Sequence, residues 1–463
     1  MFIVFMKYNV LYLNSHDTGR CISPYGYPVQ TPSLQALAES GTVFRHAHCV
    51  APTCSPSRAG LLTGQSAHGA GMVGLSHRGG VLRHPERHLA HVLSSKGYET
   101  VRAGLTHVGN PNDHGYTLQS NADIGDSEAI TDFAESYVRA APRDHPFYLD
   151  VGYYETHRVH PHMGFSKPSQ DMQDKQKHAR YVQAPPGTPD NKETRQDWWD
   201  FLHSVERLDR YYGRILVALE QAGLAENTIV LATTDHGPAF PGMKCSLTSR
   251  GTGVFLIIRF PGGQGAGQVV DTPVSHLDWY PTLCDLLNVP KPDWLEGQSL
   301  LPLLEKRDYE SSPLFAEVTF HAAFEPKRSV RTQRWLYIYN FASPYSVVLA
   351  NCDESASKRV WMDHGAIGNE LPEEELYDVL NDPDERVNLA NDPAYASNKR
   401  IMQDLLYRWM KRTDDPLLTR DFSRLVPHHV NPWTESNPSR STEPWNPSEW
   451  QNLIRSLPHP ETP

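Results

Sequence analysis

Short apolar runs, each ending abruptly in polar or ionisable residues, recur along the chain. Asn9-Val10-Leu11-Tyr12-Leu13 runs into Asn14-Ser15-His16-Asp17, and Thr228-Ile229-Val230-Leu231-Ala232-Thr233 runs into Thr234-Asp235-His236-Gly237. Glu99–Gly104 leads to His107, and Phe147–Tyr153 leads to Glu155-Thr156-His157. Runs of this length and composition read as buried strands. Helical patterns lie between them. The clearest covers about 195–222, with Phe201, Leu202, Val205, Leu208, Tyr212, Ile215 and Leu219 on one stripe. Thr194 with Asp197 is the expected capping pair at its start. Alternating strands and helices predict an α/β fold with a large mixed, mostly parallel central sheet flanked by helices. Ligands bind such sheets beyond the carboxyl ends of the strands. The pattern therefore predicts that His16, Asp17, His107, His157, Asp235 and His236 gather along one edge.

After about Pro313 the texture changes to shorter strand-like runs: Phe315–Phe320, Arg328–Arg331, Trp335–Asn340 and Leu376-Tyr377-Asp378. A helical run follows, with Ile401, Leu405, Leu406 and Trp409 assigned to one face. This divides the chain into an α/β catalytic domain (1–314), a smaller carboxyl-terminal α+β domain (315–420) and a Pro- and Trp-rich tail (421–463). The tail has no period and is expected to be extended on the surface, across the partner subunit of a homo-oligomer.

Composition narrows the function classes. With 43 Lys+Arg against 54 Asp+Glu, the 463-residue chain carries a formal charge of -11, the opposite of a nucleic-acid binder. An anionic substrate must then be drawn in by cations clustered inside a site. The six cysteines include no C-x-x-C pair, which excludes a zinc–thiolate framework. No apolar stretch approaches the roughly 20 residues that span a bilayer, so no membrane partner is expected. The opening MFIVFMKYNVLYLN lacks a basic leader region and a cleavage site and reads as a first strand. A cytoplasmic location is the expectation, or a periplasmic or secreted one had a leader been removed.

The strongest chemical signal is Cys54-Ser55-Pro56-Ser57-Arg58-Ala59-Gly60-Leu61-Leu62-Thr63-Gly64. Ser55 is placed to cap a helix that begins at Pro56 and stops at Gly64. Cys54 then lies at the positive end of that helix with Arg58 one turn along, a setting that favours an anion at position 54.

This string resembles the signature C-x-P-S-R-x-x-L-x-T-G of the sulfatase family at every fixed position. The resemblance extends to Asn9–Asp17, Thr31–Phe44, Thr234–Gly237, Val274–Leu283 and Glu374–Leu389. Gly71–Leu75, Gly104–Gly109 and Glu317–His321 look closest to the sulfamidase, or heparan N-sulfatase, branch. The resemblance implies that Cys54 is oxidised to formylglycine by a maturation enzyme, and that its hydrated aldehyde is the nucleophile toward a sulfated saccharide or small organosulfate. It implies one divalent metal held by Asp17, Asp235, His236, modified Cys54 and His16, calcium first, with manganese or magnesium as alternatives. It further implies that Arg58 helps the attack on sulfur, His157 or Lys244 protonates the leaving group, and His107 removes the proton that lets sulfate depart. Glu317 and His321 become candidate substrate contacts. His276, in the Val274–Leu283 stretch, takes a structural reading.

Two positions depart from the family pattern. His16 stands where a second adjacent Asp is usual, and Leu105 where a Lys precedes the active-site histidine. A phosphonate monoester hydrolase or phosphodiesterase with the same nucleophile, and a catalytically silent binding protein on the same fold, are the alternative readings.

Overall fold

The computed structural model describes residues 8–159, 164–165, 176–342, 347–366, 370–425, 429–438, 443–444, 446–451, 453–459 and 461. The part of the opening strand expected at 1–7 lies outside them.

Eight strands form the large sheet: β1 (Asn9–Ser15), β2 (Thr42–Phe44), β3 (Glu99–Gly104), β4 (Leu118–Gln119), β5 (Phe147–Gly152), β6 (Thr228–Thr234), β7 (Leu256–Arg259) and β8 (Gln268–Val270). Their spatial order is β4-β3-β5-β1-β6-β7-β2-β8. All pairings are parallel except those of β7, which runs antiparallel to both β6 and β2. Every residue of β1, β5 and β6 is buried, as expected of strands covered on both faces.

Alternation along the strands sorts the core into two layers. Leu11, Leu13, Leu149, Val151, Val230 and Ala232 face the helices α1 (Pro32–Ser40), α5 (Ser127–Ala140) and α6 (Lys192–Gln221). Val10, Tyr12, Tyr148, Ile229 and Leu231 face α2 (Cys54–Thr63), α4 (Leu89–Ser95) and α7 (Trp279–Leu286). The short α3 (Ala67–Ala70) follows α2. The predicted apolar stripe of α6 is buried throughout.

Its cap differs from the expectation. Asn191 accepts from the Thr194 N–H while the Thr194 hydroxyl accepts from the Asn191 N–H, so the helix starts three residues earlier. Asp197 instead receives a two-pronged bond from Arg158 at 2.7 and 3.0 Å.

A separate antiparallel sheet follows: β9 (Leu314–Phe320), β10 (Phe324–Arg331), β11 (Trp335–Asn340) and β12 (Glu374–Asp378), in that spatial order. Helix α8 (Ala396–Arg412) covers it through Met402, Leu406, Trp409 and Met410. Ile401, expected on that face, is 60% exposed, because the buried stripe runs one residue later. The described parts of the tail pack on the same layer: Leu425, Val430, Ile454 and Leu457 are buried there, and the Tyr339 hydroxyl donates to the Ser456 carbonyl.

The two sheets are joined by a fully enclosed ion network. His68 of α3 meets Glu317 of β9 at 2.9 Å, and Arg328 of β10 grips Asp415 at 2.6 and 3.1 Å and lies 3.3 Å from Glu317. Burial opposes charge on the two acids. His68 and Arg328 nonetheless hold both Glu317 and Asp415 below the ordinary carboxylate range. For His68, burial is likewise outweighed by Glu317 and Asp415, and its value is raised.

The signs then follow by linkage. The carboxylates stabilise the fold above about pH 4 and lose that contribution as pH falls through their depressed values. His68 contributes below about pH 6.5 and loses it as pH rises through its raised value. Arg328→Leu strands two buried carboxylates and is expected to cost about 3–5 kcal/mol. Urea midpoints measured across pH will show the acid limb of the variant displaced to higher pH. A parallel displacement without that change would disprove the network's role.

Candidate active site

The carboxyl ends of four neighbouring strands supply the site. β1 delivers His16 and Asp17, β3 leads to His107, β5 leads to His157, and β6 delivers Asp235 and His236. Asp17 leaves β1 in the left-handed region at φ 59°, a conformation that Asp tolerates better than most residues. This turn points its N–H at Asp235, which accepts it at 2.8 Å. His107 also has positive φ, at 55°. Two such residues at one site mark stored backbone strain. Gly237, just after His236, has no room for a side chain: a Cβ there would lie 1.9 Å from the Arg250 carbonyl oxygen.

Helix α2 puts Cys54, in its first turn, at this edge. The cysteine is 2% exposed. The stop at Gly64 is as expected, in the left-handed conformation at φ 71°. The cap is not: the helix begins at Cys54, and Ser55 lies inside it, accepting from the Ser76 N–H. Thr53 occupies the cap position, and its hydroxyl bonds the His321 ring at 2.8 Å.

One donor atom from each of His16, Asp17, Cys54, Asp235 and His236 lies within 4.8 Å of the others, all buried. His236 donates Nδ1–H to the Gly237 carbonyl at 2.9 Å, which leaves Nε2 as a lone-pair donor. That Nε2 is buried and makes no hydrogen bond among the described residues. Two carboxylates, two imidazoles and an unsatisfied buried nitrogen fit a divalent cation.

The charge balance is set by cations around the two acids. Lys244 lies 3.0 Å from Asp17 and 3.1 Å from Asp353. Burial opposes ionisation of Asp17, but Lys244, His16 and His236 together hold it well below its ordinary value. Arg58 reaches Asp235 through Nε at 3.2 Å and Nη2 at 3.1 Å, and also donates to the Asn14 side chain and the Ser15 carbonyl. Its guanidinium is thus spent on holding Asp235 and the end of β1. Burial acts to lower the His16 value, but Asp235 and then Asp17 raise it to about 10. At position 54, burial opposes an anion, yet Lys244 and His16 pull the thiol well below its ordinary value.

His107 and His157 are different. Burial first of all lowers each to about 4, so both rings are neutral at neutral pH. His157 donates Nδ1–H to the Arg158 carbonyl at 2.7 Å and turns Nε2 toward the Lys244 ammonium, 3.4 Å away. His107 faces Cys54 and places Nε2 3.2 Å from His77 Nδ1.

The structure therefore brings together His16, Asp17, Cys54, Arg58, His107, His157, Asp235, His236 and Lys244, with His321 at the margin. Glu317 is not among them. It is 1% exposed and is consumed by His68 and Arg328 in the network between the sheets, so the expected substrate contact there is corrected. His276 donates to or accepts from Thr233 inside the core, a structural role. Asp353 and His77 were missed. Neither belongs to a string that marks it, and both reach the site only through tertiary packing.

Comparison with known proteins adds independent findings. A family model described as Sulfatase matches residues 9–289, and one described as N-sulphoglucosamine sulphohydrolase, C-terminal, matches residues 246–355. N-sulphoglucosamine sulphohydrolase of Homo sapiens is 29% identical over 468 residues, covering 88% of this chain and 91% of the relative. A solved 2-O GAG sulfatase superposes with a TM-score of 0.70 at 22% identity, covering 94% of this chain and 99% of the other. A solved complex with D-glucosamine-2-N,6-O-disulfate superposes at 0.69 and 20% identity, covering 89% and 98%. With the first model spanning more than half of its length, the chain belongs to the sulfatase family of sulfuric ester hydrolases.

Proposed function

We propose that this protein hydrolyses the sulfate ester or sulfamate of a sulfated sugar, with a formylglycine made from Cys54 as nucleophile. The observation that carries the reading is the burial of Cys54 among Asp17, Asp235, His16 and His236 under the charge of Lys244. Similarity to the human sulphohydrolase, and to a fold solved with a disulfated glucosamine, supports a sugar as the sulfate carrier.

His16, Asp17, Asp235 and His236 would hold a divalent cation, which would supply Lewis-acid polarisation of a sulfuryl oxygen, and a hydrated aldehyde at position 54 would supply the attacking hydroxyl. The remaining work falls to the chain's own side chains. Arg58 fixes Asp235 and the end of β1, and so holds the acid that would carry the cation. Lys244, held protonated by Asp17 and Asp353, faces His157 Nε2 at 3.4 Å, and this pair is placed to protonate the departing oxygen or nitrogen. His157 accepts from Lys244 and keeps it directed. His107, neutral and against position 54, takes the proton released when sulfate leaves.

The test is a substrate panel on protein co-expressed with a formylglycine-generating enzyme. N-sulfo and O-sulfo sugars are expected to exceed phosphonate monoesters and phosphodiesters by at least about 100-fold in kcat/KM. The reverse ranking would overturn the reading. Mass spectrometry of the tryptic peptide holding residue 54 is run alongside it. An unmodified thiol from competent cells, together with no turnover, would favour a binding protein instead.

A further inference from the structure

His16 marks the point where this chain leaves its family's pattern, and the structure shows what the substitution does. The ring is 1% exposed and turned into the cluster. Its Nδ1 lies 2.7 Å from Asp17 Oδ1 and 3.2 Å from Asp235 Oδ2. His236 Nε2 lies 3.2 Å from the same Asp17 oxygen and 3.8 Å from the same Asp235 oxygen. Two nitrogens and two oxygens thus face one another across a single point. Four donors each about 2.0–2.1 Å from a common ion in tetrahedral array would be spaced by about 3.3 Å, within the observed spread.

The other carboxylate oxygens are committed elsewhere. Asp17 Oδ2 accepts from Lys244 at 3.0 Å. Asp235 Oδ1 accepts the backbone N–H groups of Asp17 and His236 at 2.8 and 2.9 Å. Calcium takes six to eight oxygen ligands and favours bidentate carboxylates. Here each acid turns one oxygen toward that point, Asp235 Oδ2 while also accepting from Arg58 at 3.2 and 3.1 Å, and His16 fills with nitrogen the place where a further carboxylate is expected. Imidazole donors draw the preference toward first-row divalent ions, with zinc above manganese in intrinsic affinity.

We propose that His16, Asp17, Asp235 and His236 form a two-imidazole, two-carboxylate site that takes a first-row divalent transition ion in preference to calcium. The proposal deepens the functional reading above by naming the class of ion, and it rests on that reading only for the ion's purpose.

The test is direct metal binding, measured on the full chain carrying Cys54→Ala so that no thiolate contributes to the preference. Chelator-stripped protein is titrated with Zn2+, Co2+, Mn2+ and Ca2+, and the cobalt form is read by its visible absorption. Zinc and cobalt are expected to bind at least about 100-fold more tightly than calcium. His16→Asp is expected to shrink that ratio at least about tenfold and to shift the cobalt spectrum, since one nitrogen ligand becomes oxygen. Calcium binding as tightly as zinc would overturn the proposal, as would a cobalt spectrum unmoved by His16→Asp. If His16→Asp does not fold, the ion preference of the His16-containing protein decides alone. Because no turnover is measured, failure of the sulfatase reading would leave this result standing, and the converse also holds.

Discussion

Replacing Cys54 with alanine is expected to lower kcat/KM toward a sulfated sugar by about ten-thousand-fold or more, the scale seen when a covalent nucleophile is removed. The stability change should stay within about 1 kcal/mol, because the side chain loses one atom and alanine suits the first turn of α2. The two readouts separate chemistry from folding. Circular dichroism and a denaturation midpoint close to those of the unsubstituted chain, with turnover gone, are the expected result. Retention of more than a few per cent of activity would mean that another group attacks sulfur. Serine at 54 is the sharper control, since it offers a hydroxyl without an aldehyde: if it restores turnover, the oxidised residue is dispensable.

The second large effect is expected at Arg58. Its guanidinium is 3% exposed and contacts Asp235, Asn14 and the Ser15 carbonyl. Arg58→Met keeps the volume and removes the charge, leaving Asp235 buried without that partner. Metal-free protein is expected to lose about 3–5 kcal/mol. Saturating divalent cation should restore part of that loss, because the ion supplies positive charge to the same carboxylate and binds only the folded chain. Urea melts with and without the cation give the difference. Arg58→Lys cannot make the forked contact and should fall between the two. If the stability of Arg58→Met is indifferent to added cation, then Asp235 is not shared between the guanidinium and the ion.

Much of this site was legible in the sequence because its parts sit on the most regular element of the fold. Parallel strands place every carboxyl end on one edge, so β1, β3, β5 and β6 announce their chemistry as a polar residue following an apolar run. Helix ends were less legible. Asn191 and Thr194 are both good cap residues, and only the reciprocal bond between them shows which is the cap and which the third residue. Ser55 looked like a cap because Pro56 follows it, yet Thr53 holds that position and its hydroxyl is tied to His321.

Glu317 was the clearest misreading. A carboxylate beside a histidine in Glu317–His321 suggests a substrate contact, but the register irregularity between Val318 and Phe320 and the end of β9 at Phe320 separate their surroundings. Thr53 bonds the His321 ring at the margin of the site, while Glu317 turns to His68 and Arg328. Sequence cannot distinguish an acid that meets solvent from one neutralised by an arginine on the next strand. His77 and Asp353 were illegible for a related reason: a single residue in a three-residue helical turn or a loop carries no period, and its role exists only once distant segments are packed.

The seclusion of Cys54 has a consequence for the protein's life history. A thiol enclosed on every side cannot enter the catalytic cleft of a second enzyme. On the proposed function, oxidation of this thiol to the aldehyde precedes the folding that buries the first turn of α2. On that reading, a molecule that folds before it is matured is an inert product, and the fraction of competent enzyme reports which of the two came first.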